Sequence, residues 1–332
     1  MENIKPNEIT AGVVGLGLMG CSITTCLLMA GHKVIAVAPI AVDLLHAERR
    51  IREHLVNALN HGLITEMPEH YFQQLVLTED YALLEPCGLV IECTIEDIAI
   101  KKSVYEKIEA VVSTNAIVTS NTSAIPISML QQETKHPERF FGLHWAEPSH
   151  TTRFLEIICG AKSEISKGEF LYALSHFWGK EPTLVRKDIR GFITNRLMYS
   201  MYREACYLVE NGYATVEDVD RACRNNGGYW MTLVGVFGWM DLTGVAAYHT
   251  VMKDLLPTLN NQVTIPKLID DIVKDGGRGI SNGKGFYQYT PEEAKLWEET
   301  FTEFSYDIRQ LALKYPADVV KKKLAALQET KE

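Results

Sequence analysis

The chain lacks three things that would each fix its class at once: cysteines at metal or disulfide spacing, a membrane-spanning apolar run, and a basic surplus. Its seven cysteines (Cys21, Cys26, Cys87, Cys93, Cys159, Cys206 and Cys223) are scattered, with no C-x-x-C pair and no Cys/His grouping. Disulfide frameworks and structural zinc are thereby disfavoured, and buried, reduced thiols are the expectation. No metal is expected. No uninterrupted apolar stretch approaches the ~20 residues that span a bilayer, and no basic, apolar, small-residue order of a secretory signal opens the chain. A cytoplasmic enzyme with no membrane association is the expectation. The 33 Lys and Arg against 42 Asp and Glu leave a formal charge of −9, which opposes binding to nucleic acid or an anionic membrane surface. The deficit is also local: from Glu53 through Ile100 there is no Lys or Arg, while nine Asp or Glu residues fall there.

What is present is a chain of 332 residues, 46% hydrophobic, enough for one large core or two ordinary ones. Its first half alternates short β-branched runs with helical patterns, the order of a parallel sheet covered by helices. Strands are expected at Thr10 to Gly15, Lys33 to Val37, Leu89 to Cys93 and Ala116 to Thr119, with a helix from about Met19 to Ala30. Ile98, Lys101, Tyr105, Ile108 and Val112 keep three-to-four spacing, a helix on whose apolar face Lys101 turns its amine outward. Near Lys187 the pattern changes. Ile193, Leu197, Met201, Ala205 and Leu208 outline a long helix ended by Asn211-Gly212, and Thr215 with Asp218 caps the next. The expected architecture is a doubly wound α/β domain of the Rossmann type over residues 1–187. An all-helical domain over 188–332 follows, ending in a charged helical tail from about Pro291.

Gly15-Leu16-Gly17-Leu18-Met19-Gly20 fits G-x-G-x-x-G between an expected strand and an expected helix, where missing β-carbons let backbone approach a pyrophosphate. A merely tight βα turn is the competing account. The acidic residue that would receive the adenosine ribose is missing, because the second strand ends Val37-Ala38-Pro39. NAD is expected by default, with NADP left open.

Four polar residues suit a dehydrogenase: Ser123, His144, Glu156 and Asn195, a base, a carboxylate to orient it and two hydrogen-bonding groups. A histidine titrates near neutrality and a neighbouring carboxylate stabilises its cation. Taken alone, His144 reads first as a satisfied core or surface histidine; the competing account of Ser123 is the N-cap of the following helix, compatible with a site role, and that of Asn195 a helix-start hydrogen bond.

Over about residues 10 to 290 the chain resembles the 3-hydroxyacyl-CoA dehydrogenase family. Beside the glycine motif, the resemblance rests on Ile91-Glu92-Cys93-Thr94-Ile95-Glu96, Ser120-Asn121-Thr122-Ser123, Gly142-Leu143-His144 and Phe154-Leu155-Glu156. It continues through Gly191-Phe192-Ile193-Thr194-Asn195-Arg196 and Gly283-Lys284-Gly285-Phe286-Tyr287. The resemblance implies that His144 is the general base for the 3-hydroxyl, Glu156 orients it, Ser123 bonds the 3-oxygen and Asn195 binds substrate. It further implies that Gly15 to Gly20, Glu96, Lys101 and Asn121 serve the cofactor, that the substrate is a 3-hydroxyacyl-CoA, and that the enzyme is a homodimer through its helical domain. For Glu96 and Lys101 a solvated helix face is the competing account, and the apolar stretch Val234 to Met240 suits either a dimer contact or burial within one subunit.

Three departures from the family pattern bear on the substrate. The helical excursion after the second strand carries few lysines for CoA phosphates, leaving Arg49, Arg50 and Arg52 as candidate cations. Trp145-Ala146-Glu147-Pro148 follows the histidine where the family has Asn-Pro, and Tyr229-Trp230-Met231-Thr232-Leu233 replaces Tyr-Pro-Met-Gly-Pro. A smaller 3-hydroxy acid, or a cationic hydroxy compound received by Glu147, Trp145 and Trp230, is therefore an alternative substrate, although packing accounts for both tryptophans. A non-catalytic dinucleotide-binding protein is the further alternative.

Overall fold

The computed structural model describes residues 5–329. Close contacts divide the chain into two compact units that part between Arg196 and Leu197, so Gly191 through Arg196 belong with the first.

The first unit is built on eight strands: β1 (Ala11–Val14), β2 (Val34–Val37), β3 (Leu75–Thr78), β4 (Leu89–Glu92), β5 (Ile117–Ser120), β6 (Phe140–Trp145), β7 (Leu155–Cys159) and β8 (Thr183–Val185). Their order in the sheet is β3-β2-β1-β4-β5-β6-β7-β8. All neighbours run parallel except β6 and β7, which are antiparallel. The first six strands have the doubly wound nucleotide-binding order, whose direction of winding reverses between β1 and β4. The helices are α1 (Leu18–Met29), α2 (Ala41–Asn60), α3 (Pro68–Phe72), α4 (Ile98–Glu109), α5 (Ile127–Leu130) and α6 (Ile165–Ser175), with α7 (Thr194–Glu210) beginning in this unit.

Successive strand residues face opposite sides, so one sheet feeds two cores. Ala11 and Val13 join Leu27, Ile51 and Leu55 from α1 and α2. Val14, Val90 and Val118 join Val104, Tyr105 and Ile108 of α4. On α2 the buried positions Ala47, Ile51, Leu55 and Ala58 keep the three-to-four spacing of a helix with one apolar stripe. Asp97 starts α4 by accepting a hydrogen bond from the Ile100 amide at 2.9 Å.

The second unit contains the rest of α7, then α8 (Val216–Ala222), α9 (Gly228–Met231), α10 (Val236–Thr243), α11 (Val245–Leu255), α12 (Lys267–Lys274), α13 (Pro291–Lys314) and α14 (Val319–Glu329). Beyond α7, Gly212 adopts φ 72°, the left-handed conformation that suits glycine after a helix end. Thr215 caps α8 by accepting from the Asp218 amide, and Thr290 with Glu293 forms a reciprocal capping box on α13. The expected helical tail is present through Glu329, and its last three residues lie outside the described ones. Val234 to Met240 is not buried within the subunit, as one account required: Phe237 is 78% exposed.

All seven cysteines are free thiols; Cys93 is half-buried and Cys223 exposed, against the expectation that all are buried. Among the described residues no helix is long and apolar enough to cross a membrane, and no group of three or more His, Cys, Asp or Glu is arranged to hold a metal ion.

Gly20 marks the closest approach in the strand-turn-helix that opens the fold, since a β-carbon there would stand 1.8 Å from the Gly15 carbonyl oxygen. Backbone cannot yield as a side-chain tip does. Gly20→Ala is expected to lower stability by about 2 kcal/mol or more, read as a melting temperature several degrees lower. An unchanged melting temperature would contradict this packing.

Candidate active site

His144 and Glu156 lie directly opposite one another in the antiparallel pair β6–β7, which gives their twelve-residue spacing its structural meaning. Facing residues of such a pair bring their side chains together. His144 Nδ1 stands 2.8 Å from Glu156 Oε2, with Glu156 1% and His144 8% exposed. The other carboxylate oxygen, Oε1, accepts from the backbone amides of Ile193 at 3.0 Å and Thr194 at 2.9 Å, and from the Thr194 hydroxyl at 3.3 Å. These amides stand at the start of α7, where backbone donors lack partners within the helix.

The turn before α7 makes that delivery possible. Gly191 has φ 76° and Phe192 φ 50°, a left-handed conformation that a bulky side chain seldom adopts. It brings two consecutive amides onto one oxygen. Phe192 is fully buried, and its ring lies 5.7 Å from that of His144, while Phe154 meets the imidazole edge-on at 5.3 Å. Burial raises the pKa of Glu156, but the His144 hydrogen bond and the Thr194 and Ile193 amides outweigh it and hold the carboxyl below its ordinary range. The dyad is therefore a fixed carboxylate holding one ring nitrogen, with Nε2 left to face a reacting group.

Ser123 and Asn195 come together as well. Asn195 Nδ2 donates to the Ser123 carbonyl at 2.6 Å, so the asparagine binds across to the loop after β5 and not within its own helix. Ser123 does not cap α5, whose N-cap is Pro126. Thr122 organises this turn, its hydroxyl accepting from the Ile125 amide at 3.0 Å. Glu96 Oε1 reaches over from the loop before α4 and accepts from Thr122 Oγ1 at 2.5 Å, Ser123 N at 3.1 Å and Ala124 N at 3.4 Å. Asn121 Oδ1 accepts from the Trp145 amide at 3.0 Å, tying the same loop to the end of β6.

Lys101 departs from the sequence expectation. Its amine does not turn outward: the side chain is completely buried, and Nζ lies 2.9 Å from both oxygens of Glu92, itself completely buried. The solvated-face account of Lys101 fails because an apolar helical stripe cannot reveal that a carboxylate waits beneath it. Glu92 is a site residue that sequence reasoning missed, although an acid closing the apolar run Leu89-Val90-Ile91 signals the need for a partner.

The glycine motif has the shape its role requires. Gly15 adopts φ 101° and lies against the backbone of Cys93 and Thr94. At Gly17 a β-carbon would meet nothing within 4 Å, so open space adjoins the backbone that begins α1, and no side chain caps that helix. This cradle fits a dinucleotide pyrophosphate. Ala38, at the end of β2, is buried and offers no carboxylate.

The other departures prove internal. Trp145 is 3% exposed, stacks on Trp178 at 5.3 Å and lies beneath Lys180 Nζ at 4.9 Å, so its face is already covered. Trp230 stacks on Trp239 at 5.2 Å. Each tryptophan stacks within its own unit, in accord with the packing account of both. Burial raises Glu147 to about 7, offset in part by the Ser22 hydroxyl, the Ser149 amide and the charge of Lys180. On α2, Arg49 pairs with Glu53 at 2.9 Å and Arg52 with Glu69 at 2.7 Å.

Residues 10–189 match the model of the 3-hydroxyacyl-CoA dehydrogenase NAD binding domain, and residues 191–289 that of the 3-hydroxyacyl-CoA dehydrogenase C-terminal domain. The chain is similar to 5-formyl-3-hydroxy-2-methylpyridine 4-carboxylate 5-dehydrogenase of Mesorhizobium japonicum, 32% identical over 286 residues, 85% of this chain and 91% of the relative. It is also similar to 3-hydroxybutyryl-CoA dehydrogenase of Mycobacterium tuberculosis, 31% identical over 283 residues, 84% of this chain and 97% of the relative. A crystal structure of the pyridine-carboxylate dehydrogenase, described as an NAD+ dependent dismutase, matches with a TM-score of 0.84 at 30% identity, covering 91% of this chain and 97% of that one. The (S)-3-hydroxybutyryl-CoA dehydrogenase of Ralstonia eutropha matches with a TM-score of 0.71 at 26% identity, covering 85% and 99%.

Glu147 offers a substrate-free test of these electrostatics. Its folded pKa of about 7 exceeds the ordinary 4.5, so the folded state holds the proton more tightly, and stability falls as pH rises between those values. Glu147→Gln is expected to gain about 1 kcal/mol relative to the parent at roughly pH 8, with the gain fading by about pH 4. Melting curves at the two pH values measure it, and a pH-independent difference would contradict the assignment.

Proposed function

The chain belongs to the 3-hydroxyacyl-CoA dehydrogenase family, and from that premise we propose that it oxidises the hydroxyl-bearing carbon of a small, CoA-free molecule, with His144 as the base. The observation that carries the reaction is the buried His144–Glu156 pair with its carboxylate held on the Ile193 and Thr194 amides. Gly15 to Gly20, with Glu96 and Asn121 nearby, would hold NAD, which would supply the hydride acceptor for the oxidation of an alcohol carbon to a carbonyl.

The residues of the chain handle the proton. His144 Nε2 takes it from the hydroxyl as the carbon–oxygen double bond forms, and Glu156 keeps the Nδ1 proton in place and stabilises the resulting imidazolium. Ser123 Oγ is assigned to the substrate oxygen. Asn195 holds the Ser123 carbonyl and so fixes the turn from which that hydroxyl projects.

Two observations favour a CoA-free substrate. Arg49 and Arg52 of α2 already pair with glutamates, and no Lys or Arg lies between Glu53 and Ile100 to meet three phosphate groups. A non-CoA enzyme also stands among the relatives of high coverage. The second reading is a 3-hydroxyacyl-CoA giving the 3-oxoacyl-CoA, favoured by the 3-hydroxybutyryl-CoA dehydrogenase relatives.

The helical unit is assigned to substrate binding and to a homodimer contact, which would cover Phe237, Leu242 and Val245, 78%, 67% and 55% exposed in the single chain. Sedimentation at micromolar concentration should then give twice the mass of one chain, and a monomer would refute the contact.

NADH formation with (S)-3-hydroxybutyryl-CoA, free 3-hydroxybutyrate and the pyridine aldehyde of the relative, whose hydrate with water presents the hydroxyl-bearing carbon, separates the substrate readings. A CoA-free compound is expected to turn over fastest, and a strong thioester preference would overturn this. On the preferred substrate, His144→Ala is expected to lower kcat roughly 10²- to 10⁴-fold with NAD affinity retained. Tight NAD binding without turnover of any panel member would instead favour the non-catalytic alternative.

A further inference from the structure

The completely buried Glu92–Lys101 pair lies at the carboxyl edge of the sheet, and its contacts lead step by step to the catalytic loop. Glu92 ends β4. Its Oε1 accepts from Thr94 N at 2.6 Å and Thr94 Oγ1 at 2.5 Å, its Oε2 from Ser120 Oγ at 2.6 Å and Tyr105 OH at 3.1 Å, and both oxygens face Lys101 Nζ. Lys101 Nζ also stands 3.5 Å from Glu96 Oε2. One ammonium thus serves two carboxylates, the first immobile and the second at the edge of the site.

Glu96 uses its remaining oxygen on Thr122, Ser123 and Ala124. The Ser123 carbonyl binds Asn195, which follows the Thr194 amide on Glu156. The route from Glu92 through Lys101, Glu96, Ser123 and Asn195 to Glu156 and His144 is continuous. A neutral residue at 101 would break it, since two carboxylates left without the shared cation repel, and Glu96, 42% exposed, is the one free to move away.

We infer that Glu92 and Lys101 are a positioning pair: Lys101, oriented by Glu92, holds Glu96 against the Ser123–Ala124 backbone and thereby sets Ser123 and Asn195 in place relative to the dyad. Lys101 acts on this turn through Glu96. The activity arm of the test rests on the dehydrogenase reading above, while the structural arm needs no substrate.

The structural arm is amide hydrogen exchange over residues 121–126 in the full chain, comparing the parent with Glu96→Gln, Lys101→Met and both together. Exchange at Ser123 and Ala124 should quicken at least about tenfold in each single variant, and no further in the double, because the two residues act in series. Unchanged exchange in Lys101→Met, or additive acceleration in the double, overturns the inference. Should Lys101→Met fail to fold, the neutral pair Glu92→Gln/Lys101→Met and the mild Ser120→Ala carry the test, and parental exchange rates in a folded neutral pair would equally defeat it.

With the preferred panel substrate, kcat should fall roughly tenfold in Lys101→Met, and the calorimetric Kd for NAD should match that of Glu96→Gln within about threefold, because both variants release the same turn. NAD binding much weaker in Lys101→Met than in Glu96→Gln would mean that Lys101 works on the cofactor directly, against the inference. Faster exchange with no turnover of any panel compound in the parent would uphold the positioning role and refute the dehydrogenase reading.

Discussion

A single carboxylate, that of Glu156, organises the site. One oxygen holds His144 and the other takes two backbone amides at the start of α7, so a strand, a turn and a helix converge on one buried group. A buried carboxylate without such partners would shed its charge by taking up a proton. Here it stays ionised because the chain is bent to serve it, and the bend passes through Phe192 in a conformation that a phenylalanine adopts only at a cost. The antiparallel reversal between β6 and β7 has the same consequence, since it turns the start of β7 back to the edge where β6 ends.

That edge gathers every other polar group of the site. Glu92 and Ser120 end β4 and β5, Asn121 to Ser123 follow β5, and the glycine loop follows β1. Doubly wound sheets bind ligands at the carboxyl ends of their strands, and this chain adds buried ionic chemistry there. Its two completely or nearly completely buried glutamates differ in how they are compensated. Glu156 has backbone amides and a titratable ring, whereas Glu92 has a lysine and three hydroxyl groups. The first arrangement can take part in proton transfer; the second fixes position.

The sequence disclosed these features unevenly, for physical reasons. β1, β2, β4 and β5 were legible because apolar runs alternate with helical periods, and α7 and α8 because their spacing and caps are local. β3 and β6 to β8 were less legible, although Phe140 to Leu143 is an apolar run of the sort that a strand buried on both faces requires. Without those strands the spacing of His144 and Glu156 carried meaning only through family resemblance; with them it is a cross-strand pair. Partnerships of charges were the least visible. Lys101 looked like a surface amine, because sequence states a charge but not what lies beneath or beside it. Trp145 shows the same limit, as its stacking partner Trp178 and covering Lys180 come from distant positions.

The proposed chemistry of the reacting carbon thus rests on buried, short-range contacts, and the proposed substrate class on surface charge. The central claim is that Glu156 fixes the Nδ1 proton of His144 and so leaves Nε2 as the base. Nitrogen-15 imidazole spectroscopy of the NAD-bound enzyme at neutral pH tests it most directly. The account predicts a His144 resonance pair with the proton on Nδ1, shifted to low field by the carboxylate and lost from that position in Glu156→Gln. A proton residing on Nε2 in the parent, or a spectrum indifferent to Glu156→Gln, would contradict it.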